Sequence, residues 1–226
     1  MKKYAVIVAG GKGARMGTAI PKQFLPLGAH PVLHYTIKAF VNAYPDMHVI
    51  LVLPADQLSY AQIILQSFPE RTDITIVPGG ETRFHSVQNG LKAVEGEAVI
   101  FVHDGARPLV TPALIQRCYE QAVEKGSAIP AITVAESMRM VEGDRSIVIN
   151  RDHLRIMQTP QTFRSELILP AFQQGYKESF TDEATVAEAH GTKVYLVEGE
   201  RSNIKVTTPE DLVIATALLN DRMQYD

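Results

Sequence analysis

The sequence predicts an α/β fold in which helices cover both faces of a mostly parallel sheet. Over the first 130 residues, short continuous apolar runs alternate with stretches that carry apolar residues at helical spacing. Continuous apolar strands are typical of parallel sheets, because both faces of such strands pack against helices. A third observation, an alternating pattern near residues 137–149, predicts a β-hairpin outside that sheet.

Five apolar runs in this first part are predicted as strands. They are residues 4–8, 48–53, 74–77, 98–102 and 128–133, and the predicted helices between them are 31–43, 55–68, 81–94 and 112–125. Pro54 ends the second strand. Thr111 is an N-cap residue directly before Pro112, which is the favoured order at a helix start.

The second half of the chain departs from this alternation of strands and helices. Residues 137–141 and 146–149 alternate around the turn Glu142-Gly143-Asp144, which predicts a hairpin arm at about residues 136–155. Because a lone hairpin is marginally stable in water, we expect this arm to pack on another subunit. The chain then returns through residues 157–163. Helices at 165–176 and 183–189, strands at 194–197 and 203–206, and a last helix opened by Thr207-Thr208-Pro209-Glu210 follow.

Composition excludes several classes of protein. The chain has 226 residues, a net charge of −3 and one cysteine, Cys118. A negative net charge argues against a general nucleic-acid or anionic-membrane partner, and a single cysteine forms no intrachain disulfide. No apolar run approaches the roughly 20 residues of a membrane span, and the run after the N-terminus is too short for a signal peptide. We therefore expect one cytoplasmic domain over residues 1–226.

A glycine-rich loop directly after the first strand is the strongest functional signal. Four glycines lie within residues 10–17, and Arg15 and Lys22 add positive charge beside them. Glycines let backbone N–H groups approach a ligand, and a guanidinium with an ammonium complements a polyphosphate. We predict that this loop binds a nucleoside triphosphate; the alternative is a plain glycine turn.

Two familiar nucleotide-binding motifs do not fit this loop. The dinucleotide fingerprint matches Gly11 and Gly13, but Met16 stands at its third glycine position. The P-loop requires Ser or Thr after its Gly-Lys pair, and Lys12 is followed by glycine. Both motifs therefore fail at positions that carry their mechanism.

Three further segments place polar or glycine residues where predicted strands end, at 78–80, 103–107 and 203–205. Ligands of parallel sheets bind at the carboxyl ends of strands. Asp104 could contact Mg²⁺ or a ligand, or instead cap its loop or pair with Arg107. Ser86 could help form a base pocket or be an ordinary first-turn helix serine. Lys205 could bind an anionic partner, or it could be exposed to solvent at the edge of the sheet.

The chain resembles the bacterial-type 2-C-methyl-D-erythritol 4-phosphate cytidylyltransferases of the non-mevalonate isoprenoid route, nearly from end to end. Seven motifs carry the resemblance, in this order: Gly11-x-Gly13-x-Arg15-Met16, Pro21-Lys22-Gln23, Gly79-Gly80 with Arg83 and Ser86-Val87, His103-Asp104-x-Ala106-Arg107-Pro108, Gln158-Thr159-Pro160-Gln161, Thr181-Asp182-Glu183-Ala184, and Asn203-Ile204-Lys205.

The resemblance implies a Rossmann-like nucleotidyltransferase fold and a homodimer built through the hairpin arm. It implies that CTP condenses with methylerythritol phosphate, with Mg²⁺ as cofactor, to release pyrophosphate and give a CDP-linked alcohol. By position, Arg15 and Lys22 would stabilise charge on the α-phosphate. Arg151, contributed by the partner's arm, and Lys205 would hold the acceptor phosphate. The other implied or predicted binding residues are Ala9, Gly10, Gly11, Gly13, Gly80, Glu81, Ser86, Asp104, Ala106, Arg107, Thr159 and Thr181, with Asp104 also a metal ligand.

Three alternatives remain open at this point. A ribitol 5-phosphate cytidylyltransferase would share the loop and CTP, but those enzymes usually have Ala where Glu183 follows Asp182. A non-catalytic sugar-nucleotide binding module would share the fold, yet it would not need both Arg15 and Lys22. A nicotinamide-dependent oxidoreductase is disfavoured by Met16 in the fingerprint.

Overall fold

A computed structural model describes residues 1–10, 20–69 and 72–225. Its strands are β1 (Lys2–Val8), β2 (Pro26–Leu27), β3 (His30–Pro31), β4 (Met47–Leu53), β5 (Ile74–Pro78), β6 (Ala98–Asp104), β7 (Ser127–Thr133), β8 (Met138–Glu142), β9 (Arg145–Ile149), β10 (Arg155–Met157), β11 (Gln161–Arg164) and β12 (Leu196–Glu198). Its helices are α1 (Val32–Ala43), α2 (Leu58–Leu65), α3 (Arg83–Leu91), α4 (Pro112–Lys125), α5 (Ser165–Ala171), α6 (Glu183–Ala189) and α7 (Pro209–Tyr225).

The main sheet is mixed but mostly parallel, as predicted. In the described part of the chain it has eight strands, in the order β10-β7-β11-β6-β1-β4-β5, with β12 paired to β7. β1 is central and runs parallel to both β4 and β6, with Val8 opposite Val52 on one side and Asp104 on the other. Because these strands are parallel and in register, their carboxyl ends meet at one edge of the sheet.

Apolar side chains of the strands alternate between two cores, one on each face of the sheet. Along β1, Ala5 and Ile7 belong to the core beneath α1 and α4, whereas Tyr4 and Val6 belong to the core beneath α3, α5 and α6. This two-residue alternation follows from strand geometry, and helices on both faces explain why the runs are apolar throughout. The predicted α/β fold is confirmed.

One strand and several element boundaries differ from the sequence prediction. β11 lies antiparallel between β6 and β7, within the segment expected only to return the chain. The predicted strand at 203–206 is wrong: within the described residues this segment pairs with no strand of the sheet, and the Val206 N–H instead donates to the Ala106 carbonyl at 2.8 Å. The helix predicted to reach residue 176 ends at Ala171, directly after Pro170, which has no N–H to donate.

Three other boundaries also shift. The helix predicted over 55–68 is a 3₁₀ turn at Ala55–Gln57 followed by the shorter α2. The helix predicted over 81–94 is α3, which begins after the N-cap Thr82, whose hydroxyl accepts a bond from the His85 N–H. The strand predicted over 194–197 is β12, which begins two residues later and ends one residue later.

The hairpin is present where the alternating pattern predicts it. β8 and β9 pair antiparallel with each other in a separate two-stranded sheet, and Gly143 at their turn has φ of +57°. The two strands are exposed along nearly their whole length, with Val141 at 68% and Val148 at 70% exposure.

Among the described residues, no helix has the length and apolar content required to cross a bilayer.

Close packing of α3 on the sheet predicts the effect of one substitution. A Cβ on Gly90 would lie 2.6 Å from Val6 Cγ1 and 2.9 Å from Val52 Cγ2. Gly90→Ala gains about 1 kcal/mol of helix preference, but overpacking costs about 1–3 kcal/mol. Because both contacts are with side chains packed in the core, we expect the cost to exceed the gain, with a net loss of up to about 2 kcal/mol in the free energy of unfolding, measured by urea denaturation.

The matched control is Gly175→Ala. A Cβ on Gly175 meets nothing within 4 Å, so the unfolding free energy of this variant is expected to stay within about 0.5 kcal/mol of wild type. Equal stability of the two variants would contradict the proposed contact between α3 and the sheet.

Candidate functional site

A cleft opens at the carboxyl ends of β1, β5 and β6, where the fold predicts a ligand. Its lining residues are Val8, Ala9, Gly10, Lys22, Gln23, Gly80, Glu81, Thr82, Arg83, Ser86, Asp104, Ala106 and Lys205. Nine of these are predicted site residues, namely Ala9, Gly10, Lys22, Gly80, Glu81, Ser86, Asp104, Ala106 and Lys205.

The remaining predicted site residues lie elsewhere. Arg107 and Thr159 lie behind the cleft and contact Asp104. Thr181 is exposed just before α6. Arg151 is exposed in a 3₁₀ turn after the hairpin, and its guanidinium donates to the Ala135 carbonyl. Three further predicted residues, Gly11, Gly13 and Arg15, lie outside the described residues.

Asp104, the last residue of β6, is surrounded by three cationic side chains. Its Oδ1 accepts from Arg83 Nη2 at 3.3 Å, and its Oδ2 lies 3.0 Å from Lys205 Nζ and 3.4 Å from Arg107 Nε. Burial alone would raise the pKa of Asp104, but Arg83, Lys205 and Arg107 hold that pKa well below its usual range. The carboxylate is therefore ionised and fixed by its neighbours.

Arg83 connects Asp104 to a second buried carboxylate. Its Nη1 and Nη2 donate to Oε1 and Oε2 of Glu183 at 2.5 and 3.0 Å, and Glu183 is only 1% exposed. Burial raises the pKa of Glu183, and Arg83 opposes that rise. Burial lowers the pKa of Arg83, but the two carboxylates more than reverse this and raise it above its usual range. Sequence reasoning assigned no role to either residue, although both lie inside motifs that it singled out.

A chain of hydrogen bonds beneath the cleft holds the backbone of Asp104. The Asp104 N–H donates to the Thr159 hydroxyl at 3.1 Å, and that hydroxyl lies 3.0 Å from Nδ1 of His103. Nε2 of His103 lies 3.3 Å from the Arg107 carbonyl, which can only accept, so the proton is on Nε2. Burial lowers the pKa of His103 to about 3, which keeps the ring neutral.

The segment that carries Lys205 is fixed by its neighbours. Asn203 is fully buried; its side-chain amide donates to the Thr159 carbonyl at 2.8 Å, and its own carbonyl accepts from Arg107 Nη1 at 2.8 Å. Arg107 thus anchors two loops as well as pairing with Asp104, which was the alternative left open from the sequence. Lys205 follows this anchor, with its side chain 40% exposed at the cleft.

Ser86 and Gln23 shape the cleft through backbone contacts. The Ser86 hydroxyl accepts from the Gly80 N–H at 3.0 Å and donates to the Thr82 carbonyl at 3.0 Å, as a first-turn helix serine can. Gln23, which the sequence analysis did not select, is 1% exposed and donates to the Ala9 carbonyl at 2.7 Å. These bonds attach the glycine turn and the segment of Lys22 to the ends of the strands.

The donor set does not form a metal cage. Among the described residues, no group of three or more His, Cys, Asp or Glu side chains is arranged to hold a metal ion. Both carboxylate oxygens of Asp104 already face cationic groups, so a metal there would displace Lys205 or Arg83. Asp104 fits poorly as a direct metal ligand, and that assignment stays a prediction.

The mixed sheet, the cleft at its carboxyl edge and the cationic side chains there define the class of the protein: a nucleotidyltransferase. The comparisons give the family. A family model described as 2-C-methyl-D-erythritol 4-phosphate cytidylyltransferase matches residues 4–221, and the chain belongs to that family.

Relatives support this membership along the whole chain. A 2-C-methyl-D-erythritol 4-phosphate cytidylyltransferase of Phocaeicola vulgatus is 48% identical over 219 residues, which cover 97% of this chain and 100% of the relative. The crystal structure of 4-diphosphocytidyl-2C-methyl-D-erythritol synthase from Anaerococcus prevotii aligns with a TM-score of 0.82 at 29% identity, covering 96% of this chain and 97% of that one. A cytidylyltransferase structure from Thermus thermophilus aligns with a TM-score of 0.76 at 31% identity, covering 95% of this chain and 98% of that one.

Neutral, buried His103 predicts how stability depends on pH. Its pKa is about 3 in the folded protein and about 6.5 when unfolded, so below about pH 6.5 only the unfolded chain takes up its proton. Stability should therefore fall as pH falls, by up to about 1.4 kcal/mol per unit from this group. His103→Gln should make the dependence shallower between about pH 6 and about pH 4, measured by urea unfolding.

The control is His190→Gln, which makes the same substitution at an exposed histidine. The buried His34, whose pKa is lowered to about 4, keeps its own share of the slope in all variants. An unaltered slope in His103→Gln would show that His103 takes up its proton in the folded state.

Proposed function

We propose that this chain catalyses transfer of a cytidylyl group from CTP to 2-C-methyl-D-erythritol 4-phosphate. The observation that carries the proposal is the cleft itself, which Lys22, Lys205 and the ionised Asp104 line at the carboxyl edge of the sheet. Two anionic substrates repel each other, and cations at this edge offset that repulsion. The product would be a CDP-linked alcohol used in isoprenoid precursor synthesis.

The proposed reaction is an in-line displacement at phosphorus. An oxygen of the acceptor phosphate attacks the α-phosphorus of CTP, the new O–P bond forms, and the bond to the β-phosphate oxygen breaks to release pyrophosphate. The acceptor oxygen is already anionic, so no strong general base is required, and catalysis consists of positioning and charge stabilisation. We assign charge stabilisation at the α-phosphate to Arg15 and Lys22.

The nucleotide is proposed to occupy the half of the cleft beside the glycine turns. Gly11 and Gly13 would offer backbone N–H groups to the triphosphate. A Cβ on Gly80 would come within 2.5 Å of His85 Cβ, so only glycine fits the turn that flanks this half. The residues proposed to surround the cytosine and ribose are Ala9, Gly10, Gly80, Glu81, Ser86 and Ala106.

The acceptor is proposed to occupy the half of the cleft near Lys205. Lys205 would bind its phosphate, and Thr181, at the entrance to α6, would orient the polyol. The Thr159 hydroxyl already accepts from the Asp104 N–H, so we propose that Thr159 acts by holding Asp104 in place. Arg151 lies in the turn after the exposed hairpin, and we propose that it reaches the cleft of a partner subunit in a homodimer.

Mg²⁺ is the proposed cofactor, held mainly by oxygens of the triphosphate. Mg²⁺ commonly binds through substrate phosphates with one or two carboxylates, and here Asp104 is already paired with cations. When bound, Mg²⁺ would neutralise charge on the leaving pyrophosphate.

We propose that the whole chain acts as one domain with a projecting arm, in the cytoplasm, where CTP is available.

The first test is pyrophosphate release with CTP and Mg²⁺, comparing methylerythritol 4-phosphate with ribitol 5-phosphate. We expect release with the first acceptor, and release with ribitol phosphate alone would overturn the proposed identity of the substrate.

Substitution of the two loop cations tests the proposed catalytic roles. Lys22→Ala and Arg15→Ala should each lower kcat by about 10²- to 10³-fold, because each removes charge stabilisation. The matched control is Lys92→Ala, an exposed lysine of α3's C-terminal end that bonds Asn89. Full activity of both loop variants would contradict the proposal.

A second test addresses the partner's arm. Arg151→Ala and Lys22→Ala should each be nearly inactive alone. If Arg151 acts across the dimer, subunit exchange between the two creates one intact site in each mixed dimer. Random mixing should then restore about a quarter of the wild-type turnover. No recovery, with exchange verified by differently tagged subunits, would place Arg151 in the site of its own chain.

A further inference from the structure

Four charged side chains form a continuous series of alternating sign that leads from the protein interior into the cleft. Glu183 is fully buried, Arg83 bonds it through two parallel contacts, Asp104 lies on the other side of Arg83, and Lys205 follows at 3.0 Å. Only the last member of the series, Lys205, has a proposed contact with substrate. Of the other three, Asp104 is the one that contacts its ammonium.

The guanidinium of Arg83 is suited to this position because it bridges two carboxylates at once. Nη1 and Nη2 bond Glu183, while Nε and Nη2 reach Oδ1 of Asp104 at 3.4 and 3.3 Å. A lysine has a single ammonium on a flexible stem and lacks this planar fork. Position 83 therefore uses the shape of arginine as well as its charge.

The elements that carry these residues are also joined below the cleft. Arg83 is the first residue of α3 and Glu183 the first residue of α6. The next residue of α3, Phe84, stacks on Phe172 with ring centroids 4.9 Å apart and shares a buried core with Ala184 of α6. Gln88 of α3 donates to the Phe172 carbonyl at 2.7 Å. The ion series thus lies between elements that are packed together.

We propose that Arg83 and Glu183 are positioning residues that fix Lys205 for the acceptor phosphate by holding the carboxylate of Asp104 in one orientation. This inference rests on the proposed function, in which Lys205 binds that phosphate. Glu183 orients Arg83, Arg83 and Arg107 orient Asp104, and Asp104 sets the point from which the ammonium of Lys205 reaches the cleft.

The charge balance of the group makes the consequence of each substitution specific. Arg83, Arg107 and Lys205 are three cations against the two carboxylates Asp104 and Glu183, which leaves a net charge of +1 facing an anionic ligand. Removal of Arg83 alone gives zero net charge and leaves Glu183 buried without its partner. Asp104 then interacts more strongly with Lys205 and draws its ammonium away from the acceptor.

The double variant distinguishes a structural role of Arg83 and Glu183 from a positioning role. Arg83→Gln combined with Glu183→Gln removes both members of a buried ion pair, which is often close to neutral for stability, whereas removal of one member is costly. The double variant also keeps the net charge of +1. It therefore restores stability and charge while Asp104 still lacks the guanidinium that orients it.

The kinetic test compares wild type, Arg83→Lys, Arg83→Gln, Glu183→Gln and the double variant. We expect kcat/KM for the phosphorylated acceptor to fall by about ten- to a hundredfold in all four variants, with KM for CTP changed less than about twofold. The melting temperature should recover in the double variant without recovery of acceptor use. Joint recovery of both would overturn the proposal and assign the pair a structural role. The control Arg117→Gln removes an ion pair with Glu200 outside the cleft and should leave both KM values unchanged.

A second readout does not depend on turnover. Lysines are reductively methylated with ¹³C-formaldehyde, and the methyl signal of Lys205 is assigned by its loss in Lys205→Arg. We expect that signal to move further from the position of solvent-exposed lysines in the double variant, because Asp104 without Arg83 holds the Lys205 ammonium more tightly. An unmoved signal would overturn the inference even if the wild-type protein proves inactive with both acceptors, a result that would count against the proposed function separately.

Discussion

The site depends on one buried carboxylate, that of Asp104. Unpaired, an ionised carboxylate in this position would be strongly unfavourable, so the surrounding chain supplies cations from three directions. Each cation comes from a different part of the sequence: the start of α3, the loop after β6 and the segment before α7. Satisfying Asp104 therefore brings together loops that are distant in the chain, and the cleft is the space between them.

Much of the fold could be predicted from the sequence because apolar patterning reports burial directly. The central strands are apolar throughout, and the hairpin alternates around a glycine turn. β11 escaped prediction because Gln161 and Thr162 are polar although they are 1% and 0% exposed. Gln161 is satisfied by Asp182 and by the Ala184 N–H, so its burial leaves no trace in hydrophobic periodicity.

The site was predicted in part for a similar reason. Strand-end glycines and charges point to the edge of the sheet, and nine predicted residues line the cleft there. The pairing of Arg83 with Glu183 spans 100 positions along the chain, and both residues begin helices, where charged side chains are ordinary. Only the packing of α3 against the 172–183 region brings them together, and no local pattern encodes that contact.

The contact of Gly90 with the sheet also has a mechanical consequence. Gly90 and Arg83 lie on the same helix seven residues apart, a separation of about 10 Å. A tilt of about 5° around the Gly90 contact would displace the head of α3 by about 0.9 Å. Displacements of about 1 Å are large on the scale of phosphoryl-group alignment. The close contact at Gly90 thus fixes the tilt of α3 relative to the sheet. A change in packing at Gly90 would shift Arg83 at the other end of the helix and so disturb the alignment of substrates in the cleft.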